Sequence, residues 1–395
     1  MQPAPDYAAA KAFLHDQAQD IGLDFQSLDC VKGKPICILT WIGKDPSLPT
    51  IMLNSHIDVV PVFPESWNYP PFAAEKTANG NIYARGAQDM KCVGSGYLEG
   101  IRVLKANGKQ PLRTIHAVFV PDEEIGGVDG MKLFVKTDLF KSLNLGFALD
   151  EGMASPNDTY RVFYGERCPW WVKVIAKGPP SHGSLFVKDG ATEKLMKVIQ
   201  KFMAYRTAEE QKLHIGRTES GQPLKVGDVT TINLTMLNAG IQFNIVPQEA
   251  TAGFDIRVSP QVDLKAFHAM LEGWCTSEGC TMEFVNSFWC NAVSSTDESD
   301  PYWHALSTVF QARKITIEKE IFPAATDSRY IREVGIPAIG VSPIRNTPVL
   351  LHDHDEYLNE KTFMEGVSFY VDAIDALANI PAPPGLPNGS KKRKS

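Results

Sequence analysis

The chain has 395 residues, of which 44% are hydrophobic and 22% are charged, and its formal net charge at pH 7 is −7. This length is long for one hydrophobic core and predicts two domains. No apolar run is long enough to span a bilayer, which excludes a membrane span. Without the four basic residues of the C-terminal run, the net charge is −11, which argues against nucleic-acid binding.

The cysteine pattern indicates the cellular compartment in which the protein resides. Seven of them are scattered along the chain and form no CxxC pair. The N-terminus also lacks the basic start, apolar stretch and small-residue cleavage site of a secretory signal. Because scattered free thiols are typical of reducing compartments, we expect a cytoplasmic protein.

The first short apolar run, residues 51–58, ends in His56 and Asp58. Two residues apart on a strand, both side chains point to the same side of the sheet. A metal-binding histidine usually donates its other ring N–H to a carboxylate, and Asp58 suits that role. The same two residues also fit a turn with a capping aspartate, so this pattern alone leaves both interpretations open.

Carboxylates follow in two further places. Asp89 lies in a glycine-bearing loop ahead of a helical pattern over 92–107, where it fits either a helix cap or a cation ligand. Glu123 and Glu124 end the run 115–124. Two adjacent carboxylates repel each other unless a cation or a shared proton relieves them, so this pair is the stronger signal of a site.

Another apolar run, residues 145–152, holds Asp150 and Glu151 at its end, and His352 and His354 both lie near the C-terminus, beyond the run 337–343. Runs of this length, separated by helical patterns, are typical of parallel strands with crossover helices. Ligands in such folds gather at the carboxyl ends of the strands. The sequence therefore predicts an α/β fold with a mostly parallel sheet and polar clusters at one edge.

Imidazole and carboxylate ligands without thiolate suit zinc in a catalytic site, and also cobalt or manganese. The number of acids exceeds what one four-coordinate metal needs, which allows two ions with a shared carboxylate. Acidic strand ends are also common on solvated surfaces. The accumulation of such ends favours a dinuclear metal-dependent hydrolase.

The pattern changes near Phe163. The elements predicted after it are strands at 169–178, 229–238, 249–259 and 283–288, and helices at about 190–206 and 263–275. Their order is the split βαβ pattern of ferredoxin-like domains. We therefore expect a catalytic domain made of residues 1–163 and 290–380, with a lid or dimerisation domain inserted over 164–289. Residues 381–395 predict a disordered basic tail, and its lysine cluster also fits a nuclear address.

Six motifs, in order and properly spaced, resemble the M20 metallopeptidase family: LNSHIDVVP, ARGAQDMKC, VPDEEIGG, FALDEG, AATDSRYIR and TPVLLHDHDE. The resemblance covers roughly residues 3–380. It implies that His56, Asp89 and Glu151 hold one zinc ion. It also implies that Asp89, Glu124 and His352 hold a second one, and that the peptide bond between Asp89 and Met90 is cis.

The resemblance also implies roles for residues that hold no metal. Glu123 matches the family's general base, which passes a proton to the leaving nitrogen, and Asp58 matches the residue that orients His56. His182 matches a histidine that reaches the active site of a neighbouring subunit and stabilises the oxyanion, which requires at least a homodimer. Without the resemblance, an isolated histidine in such a loop also fits a structural role.

Three further residues match positions that the family uses to hold its substrate. They are Asn244, Arg257 and Arg329, and a guanidinium there can grip a free carboxylate with two hydrogen bonds. Each arginine also fits an ordinary salt bridge.

Within the family, the stretches FYGER and PWW near the start of the inserted segment favour hydrolysis of N-acyl-L-amino acids to a carboxylate and a free L-amino acid. A dipeptidase or carboxypeptidase, which shares the metal ligands, and an inactive binding relative remain alternatives. Relatives carry a further helix ahead of the segment that begins here at Gln2. We therefore expect this chain to be less stable than one that carries the helix.

Overall fold

A computed structural model describes residues 5–218 and 221–382. Contacts divide this part of the chain into two compact units. The first runs as far as Tyr164 and resumes over Ser294–Lys319 and from Thr326 on, and the second comprises Gly165–Val293 and Glu320–Ala325. Most of the predicted basic tail, residues 383–395, lies outside the described residues.

The helices and strands follow in chain order. As far as residue 166 they are α1 (Tyr7–Ile21), β1 (Asp24–Val31), β2 (Lys34–Trp41), β3 (Thr50–His56), β4 (Glu75–Lys76), β5 (Asn81–Tyr83), α2 (Lys91–Ala106), β6 (Ile115–Val120), α3 (Met131–Phe134), α4 (Asp138–Ser142), β7 (Leu145–Asp150) and β8 (Thr159–Glu166). The middle of the chain forms β9 (Cys168–Lys177), β10 (Ser181–His182), α5 (Ala191–Ile215), β11 (Thr231–Ala239), β12 (Ile245–Val246), β13 (Glu249–Val258), α6 (Leu264–Ser277) and β14 (Cys280–Ser287). The remaining elements are α7 (Pro301–Ala312), β15 (Thr316–Phe322), α8 (Ser328–Glu333), β16 (Ala338–Val341), β17 (Tyr357–Asn359) and α9 (Glu360–Ala378).

The main sheet has the strand order β1-β2-β6-β3-β7-β16-β8-β15. Its centre is parallel, because β3 pairs in parallel with β6 and β7, and β7 with β16. The pairs β1–β2, β2–β6 and β8–β16 are antiparallel. Every residue of β3 and β6 is buried, as expected for parallel strands that are covered on both faces. The predicted α/β fold class is confirmed.

Close packing of α2 against its neighbours positions the loop that precedes it. A Cβ atom at Gly94 would lie 2.7 Å from Ser55 Oγ on β3, and one at Gly96 would lie 2.8 Å from the Tyr370 ring on α9. Glycine is therefore required at both contacts. Because β3, β6 and β7 are parallel, their carboxyl ends share one edge of the sheet with the start of α2.

The second unit contains an antiparallel sheet of strand order β11-β13-β9-β14. Buried side chains of this sheet, such as Trp170, form one hydrophobic core with those of α5 and α6, such as Phe202. The order strand, helix, strand, strand, helix, strand is the predicted one. Helix α5 continues to Ile215, beyond the predicted end near residue 206.

Candidate metal centre

Two groups of potential metal ligands meet at Asp89. One consists of His56, Asp89 and Glu151, the other of Asp89, Glu124 and His352, and within each group the ligand atoms lie within 4.8 Å of one another. His56 comes from the end of β3, Glu151 directly follows β7, and Asp89 precedes α2. The structure thus brings together all five residues that the resemblance names as ligands.

The two carboxylate oxygens of Asp89 face different imidazoles. Oδ1 lies 2.9 Å from His56 Nε2, and Oδ2 lies 3.4 Å from His352 Nε2. Glu151 Oε1 is 3.8 Å from His56 Nε2, and Glu124 Oε2 is 3.0 Å from His352 Nε2. The two oxygens of Asp89 therefore face the two ligand groups separately.

The acidic groups of this centre are buried close to one another. Despite its burial, hydrogen bonds with His352 and His56 hold the pKa of Asp89 well below its ordinary value. Burial and the nearby Asp89 charge raise the pKa of Glu151 well above its usual range. The buried Oε1 atom of Glu124 has no hydrogen-bond partner. Clustered acids with an unpaired buried oxygen fit divalent cations held by carboxylate and imidazole ligands.

Asp58 connects the end of β3 to the acidic turn. Its Oδ1 accepts a hydrogen bond from the amide of Glu123 at 3.2 Å, and its Oδ2 accepts one from the amide of Glu124 at 3.1 Å. The Nδ1 atom of His56 lies 3.1 Å from the Asp58 carbonyl oxygen and 3.5 Å from Oδ1. An Nδ1 proton directed at Asp58 leaves Nε2 free to act as a ligand.

Glu123 and Glu124 lie on a short 3₁₀ turn, Glu123–Ile125, between two residues with left-handed backbone, Asp122 (φ 62°) and Gly126 (φ 100°). Burial raises the pKa of the Glu123 carboxyl well above its usual range, and the charge of Glu151 adds to this effect. A carboxylate with a raised pKa is suited to accept a proton near neutral pH.

The turn that carries Glu123 and Glu124 is anchored by residues that the sequence analysis did not single out. The hydroxyl of Tyr7 on α1 donates to Asp122 Oδ1 at 2.5 Å and accepts from the Asp122 amide at 3.2 Å. Lys34 forms ion pairs with Asp122 and Asp129. These contacts join residues far apart in the chain, and no local sequence pattern marks them.

The other predicted residues of the first unit have different surroundings. His354 lies against Phe63, with ring centroids 6.4 Å apart, and is not a member of either ligand group. Arg329 is buried and donates to the Gly126 carbonyl oxygen at 2.7 Å. It therefore contacts the end of the acidic turn. The Asp89–Met90 peptide bond is cis, as the resemblance implies.

His182, Asn244 and Arg257 belong to the second unit. His182 is exposed, its Nδ1 lies 2.7 Å from Ser184 Oγ, and the next residue donates its amide to the Asn244 carbonyl oxygen at 2.8 Å. His182 and Asn244 are thus close in space. Arg257 forms two hydrogen bonds with Asp255, at 2.8 and 3.0 Å, so a neighbouring carboxylate on the same strand already pairs with its guanidinium.

Carboxylate and imidazole clusters at the strand ends of an α/β fold are the ligand types that metal-dependent hydrolases use. Residues 52–376 match the family described as peptidase family M20/M25/M40. The chain belongs to this family.

Relatives with assigned names match nearly the whole chain. This chain is 53% identical to aminoacylase-1 of Sus scrofa over 386 residues, a match that covers 97% of this chain and 93% of that protein. Identity to aminoacylase-1 of Homo sapiens is 51%, with the same coverage of both chains. Aminoacylase-1 of Dictyostelium discoideum is 44% identical and covers 96% of this chain and 94% of its own length.

Solved structures share the fold at low sequence identity. An M20 family metallo-carboxypeptidase from Sulfolobus solfataricus aligns with a TM-score of 0.71 and 17% identity, covering 94% of each chain. A dinuclear metal binding peptidase of the M20 family from Bacillus subtilis aligns with a TM-score of 0.63 and 15% identity, covering 94% of this chain and 91% of its own. In the described part of the chain, no helix has the length and apolarity needed to cross a membrane.

Proposed function

We propose that this chain hydrolyses N-acyl-L-amino acids to a carboxylate and a free L-amino acid, with two zinc ions per subunit. The observation that carries the proposal is the pair of ligand groups that share Asp89, in a chain 53% identical to a protein named aminoacylase-1. His56, Asp89 and Glu151 would hold one ion, and Asp89, Glu124 and His352 the other. The ligand types favour zinc and also suit cobalt and manganese.

When bound by these residues, two divalent ions would supply a Lewis acid for the amide carbonyl and would lower the pKa of water. The chain supplies the proton transfers. Glu123, with its raised pKa, accepts a proton from the attacking water and delivers it to the amide nitrogen. The water oxygen first forms a C–O bond and the carbonyl oxygen becomes an oxyanion; the C–N bond then breaks, and the amine leaves with the proton that Glu123 held. Asp58 supports this step by holding both the Glu123 amide and His56.

Substrate binding is a further part of the proposal. In this proposal Asn244, Arg257 and Arg329 are substrate-binding residues, a guanidinium grips the free carboxylate of the N-acyl amino acid, and His182 of a neighbouring subunit stabilises the oxyanion. The exposed imidazole of His182 is compatible with a role outside its own unit.

The proposal includes a homodimer in which the second unit serves as lid and dimerisation domain. Strand β11 lies at an edge of the second unit's sheet, and Met236 and Leu237 on it are 62% and 59% exposed. An exposed apolar edge strand is a surface that a second copy can cover. We also propose a cytoplasmic location, supported by the free thiols of Cys30, Cys37, Cys92, Cys275, Cys280 and Cys290.

Hydrolysis rates test the activity directly. The zinc-loaded chain should hydrolyse N-acetyl-L-methionine faster than unblocked dipeptides, and a chelator should abolish turnover until zinc is restored. A preference for dipeptides would instead indicate a dipeptidase. Zinc binding without hydrolysis of either substrate would indicate a binding relative. A Glu123→Gln chain should bind zinc but lose turnover, because its amide accepts no proton.

A mixture of two inactive variants tests the role of His182. His182→Ala and Glu123→Ala chains, each inactive alone, should regain about a quarter of the original activity when subunits exchange, because half of the dimers then contain one intact site out of two. Recovery of no activity, or full turnover by His182→Ala alone, would exclude a role across subunits.

A further inference from the structure

The loop that carries the shared ligand is bound to one buried carboxylate. Glu356 is 0% exposed, and its Oε2 accepts hydrogen bonds from Arg85 Nη1 at 2.8 Å and from the Gly86 amide at 3.0 Å. Its Oε1 accepts from the amides of Gln88 at 2.6 Å and Asp89 at 3.1 Å. Both oxygens are therefore engaged by the five-residue segment that ends at Asp89.

The side chain of Gln88 adds a second connection between the same segments. Its amide nitrogen donates to the carbonyl oxygens of Pro348 at 3.1 Å and Tyr357 at 2.9 Å, and its oxygen accepts from the Leu350 amide at 3.1 Å. His352 lies between these contacts in the chain. The segment with Asp89 and the segment with His352 are thus held to each other through Gln88 and Glu356.

A buried carboxylate is unfavourable unless its charge is compensated and its lone pairs are used. Here one guanidinium and three main-chain amides compensate it through charge-assisted hydrogen bonds. Such bonds require that the amides of Gly86, Gln88 and Asp89 all point at one carboxylate. The conformation of the loop is consequently tied to the position of Glu356.

We propose that Glu356 is a positioning residue of the metal centre. It acts through the Asp89 main chain, so that the two oxygens of Asp89 face His56 and His352 separately, and it holds no metal itself. This inference rests on the proposed metal centre and extends it to a residue outside the ligand set.

The variant Glu356→Gln keeps the size of the side chain and removes its charge. A glutamine offers one acceptor oxygen and places an NH₂ group, which only donates, at the other position. Two of the four donors then lose their acceptor. The zinc affinity should fall by about tenfold to hundredfold, the range typical of residues that orient metal ligands.

The matched control is Glu320→Gln in the second unit. Glu320 is 4% exposed and pairs with Lys225 Nζ at 2.7 Å, so it is also a buried glutamate opposite a cation. Zinc dissociation constants are measured by competition with a chromophoric chelator, and the visible spectrum of the cobalt-loaded chain reports the coordination geometry. Glu356→Gln should change both, while Glu320→Gln should change neither.

Unchanged zinc affinity in Glu356→Gln, or an equal loss in Glu320→Gln, would overturn the inference. Should metal-free Glu356→Gln be unfolded by circular dichroism, Glu356→Asp decides, since it keeps the charge but withdraws the carboxylate from the amides of Gly86, Gln88 and Asp89 by one methylene group. A folded Glu356→Asp chain with zinc binding weaker by about tenfold or more supports the inference, and one with unchanged binding overturns it. An unsubstituted chain that binds no zinc would refute the proposed function before any variant is compared.

Discussion

The buried histidine of β6 makes the stability of the first unit depend on pH. His116 is 6% exposed, and its Nδ1 lies 2.9 Å from Thr40 Oγ1 on the adjacent strand β2. Burial lowers the pKa of His116 to about 4, whereas an ordinary histidine in an unfolded chain has a pKa of about 6.5. The folded state therefore binds this proton less readily than the unfolded state.

The direction and size of the effect follow from that difference. As the pH falls below about 6.5, the unfolded chain takes up a proton at His116 that the folded chain does not bind, so the free energy of unfolding decreases. The loss is about 2 kcal/mol at pH 5 and approaches about 3 kcal/mol near pH 4, since each pKa unit corresponds to about 1.36 kcal/mol. At pH 8 the contribution of His116 is fully present.

The test compares the unchanged chain with His116→Gln, whose side chain does not titrate. Urea unfolding of the two metal-free proteins is followed between pH 8 and pH 5, and the difference in free energy of unfolding is plotted against pH. The other titrating groups are common to both proteins and cancel. The difference should move by about 2 kcal/mol in favour of His116→Gln as the pH falls to 5.

An exposed histidine provides the control. His214 near the end of α5 is exposed, and His214→Gln serves as the reference for replacing a histidine by glutamine outside the core. A difference between the unchanged chain and His116→Gln that stays constant to within about 0.5 kcal/mol from pH 8 to pH 5 would refute the reasoning.

Three further predictions concern the metal centre and the packing around it. Asp58→Asn should weaken zinc binding by about tenfold to hundredfold in a chelator competition, because one amide of the acidic turn loses its acceptor; unchanged affinity would contradict this. Tyr7→Phe removes the hydroxyl that donates to Asp122 and should lower the free energy of unfolding in urea by about 1–3 kcal/mol; a neutral result would show that the contact is replaced by water. Gly96→Ala places a methyl group 2.8 Å from a tyrosine ring of α9 and should lower the free energy of unfolding by about 1–3 kcal/mol. In Gly273→Ala, on α6, the added methyl group meets nothing within 4 Å, so the free energy of unfolding should rise by about 0.5–1 kcal/mol. Effects of the same sign in urea unfolding would contradict the packing argument.

The central strands and their polar ends could be predicted from sequence because their pattern is local. Strands β3 and β6 are buried along their whole length, so each has a mainly apolar sequence that leads into a polar cluster, although His116 lies within β6. The roles within each polar cluster were less accessible. Nothing in the residue types separates Glu123 from Glu124 or His352 from His354, and only the family resemblance distinguished them.

The contacts that hold the ligand-bearing loops could not be predicted, because they join distant parts of the chain. Tyr7 and Asp122 are 115 positions apart, and Glu356 and Gln88 are 268 positions apart. Neither pair belongs to a periodic pattern. A tyrosine near the start of an amphipathic helix also fits an ordinary core position, so the sequence does not single out Tyr7. Such pairs become visible only when the sheet has brought their segments together.

The metal centre therefore depends on two kinds of residue that differ in how they are encoded. The five candidate ligands occupy short motifs, most of them at strand ends. The carboxyl ends of parallel strands lie at one edge of the sheet, so the fold itself brings such residues close together. Tyr7, Asp58 and Glu356 instead bind main-chain amides of the loops that carry these ligands. Consider a relative that keeps all five ligands but lacks the acceptors at the positions of Tyr7, Asp58 and Glu356. It would retain the ligand motifs, but its ligand carboxylates would no longer be held facing the two imidazoles. For this family, the presence of the ligand motifs is consequently a weaker indication of metal affinity than the presence of the motifs together with the residues that hold their backbone.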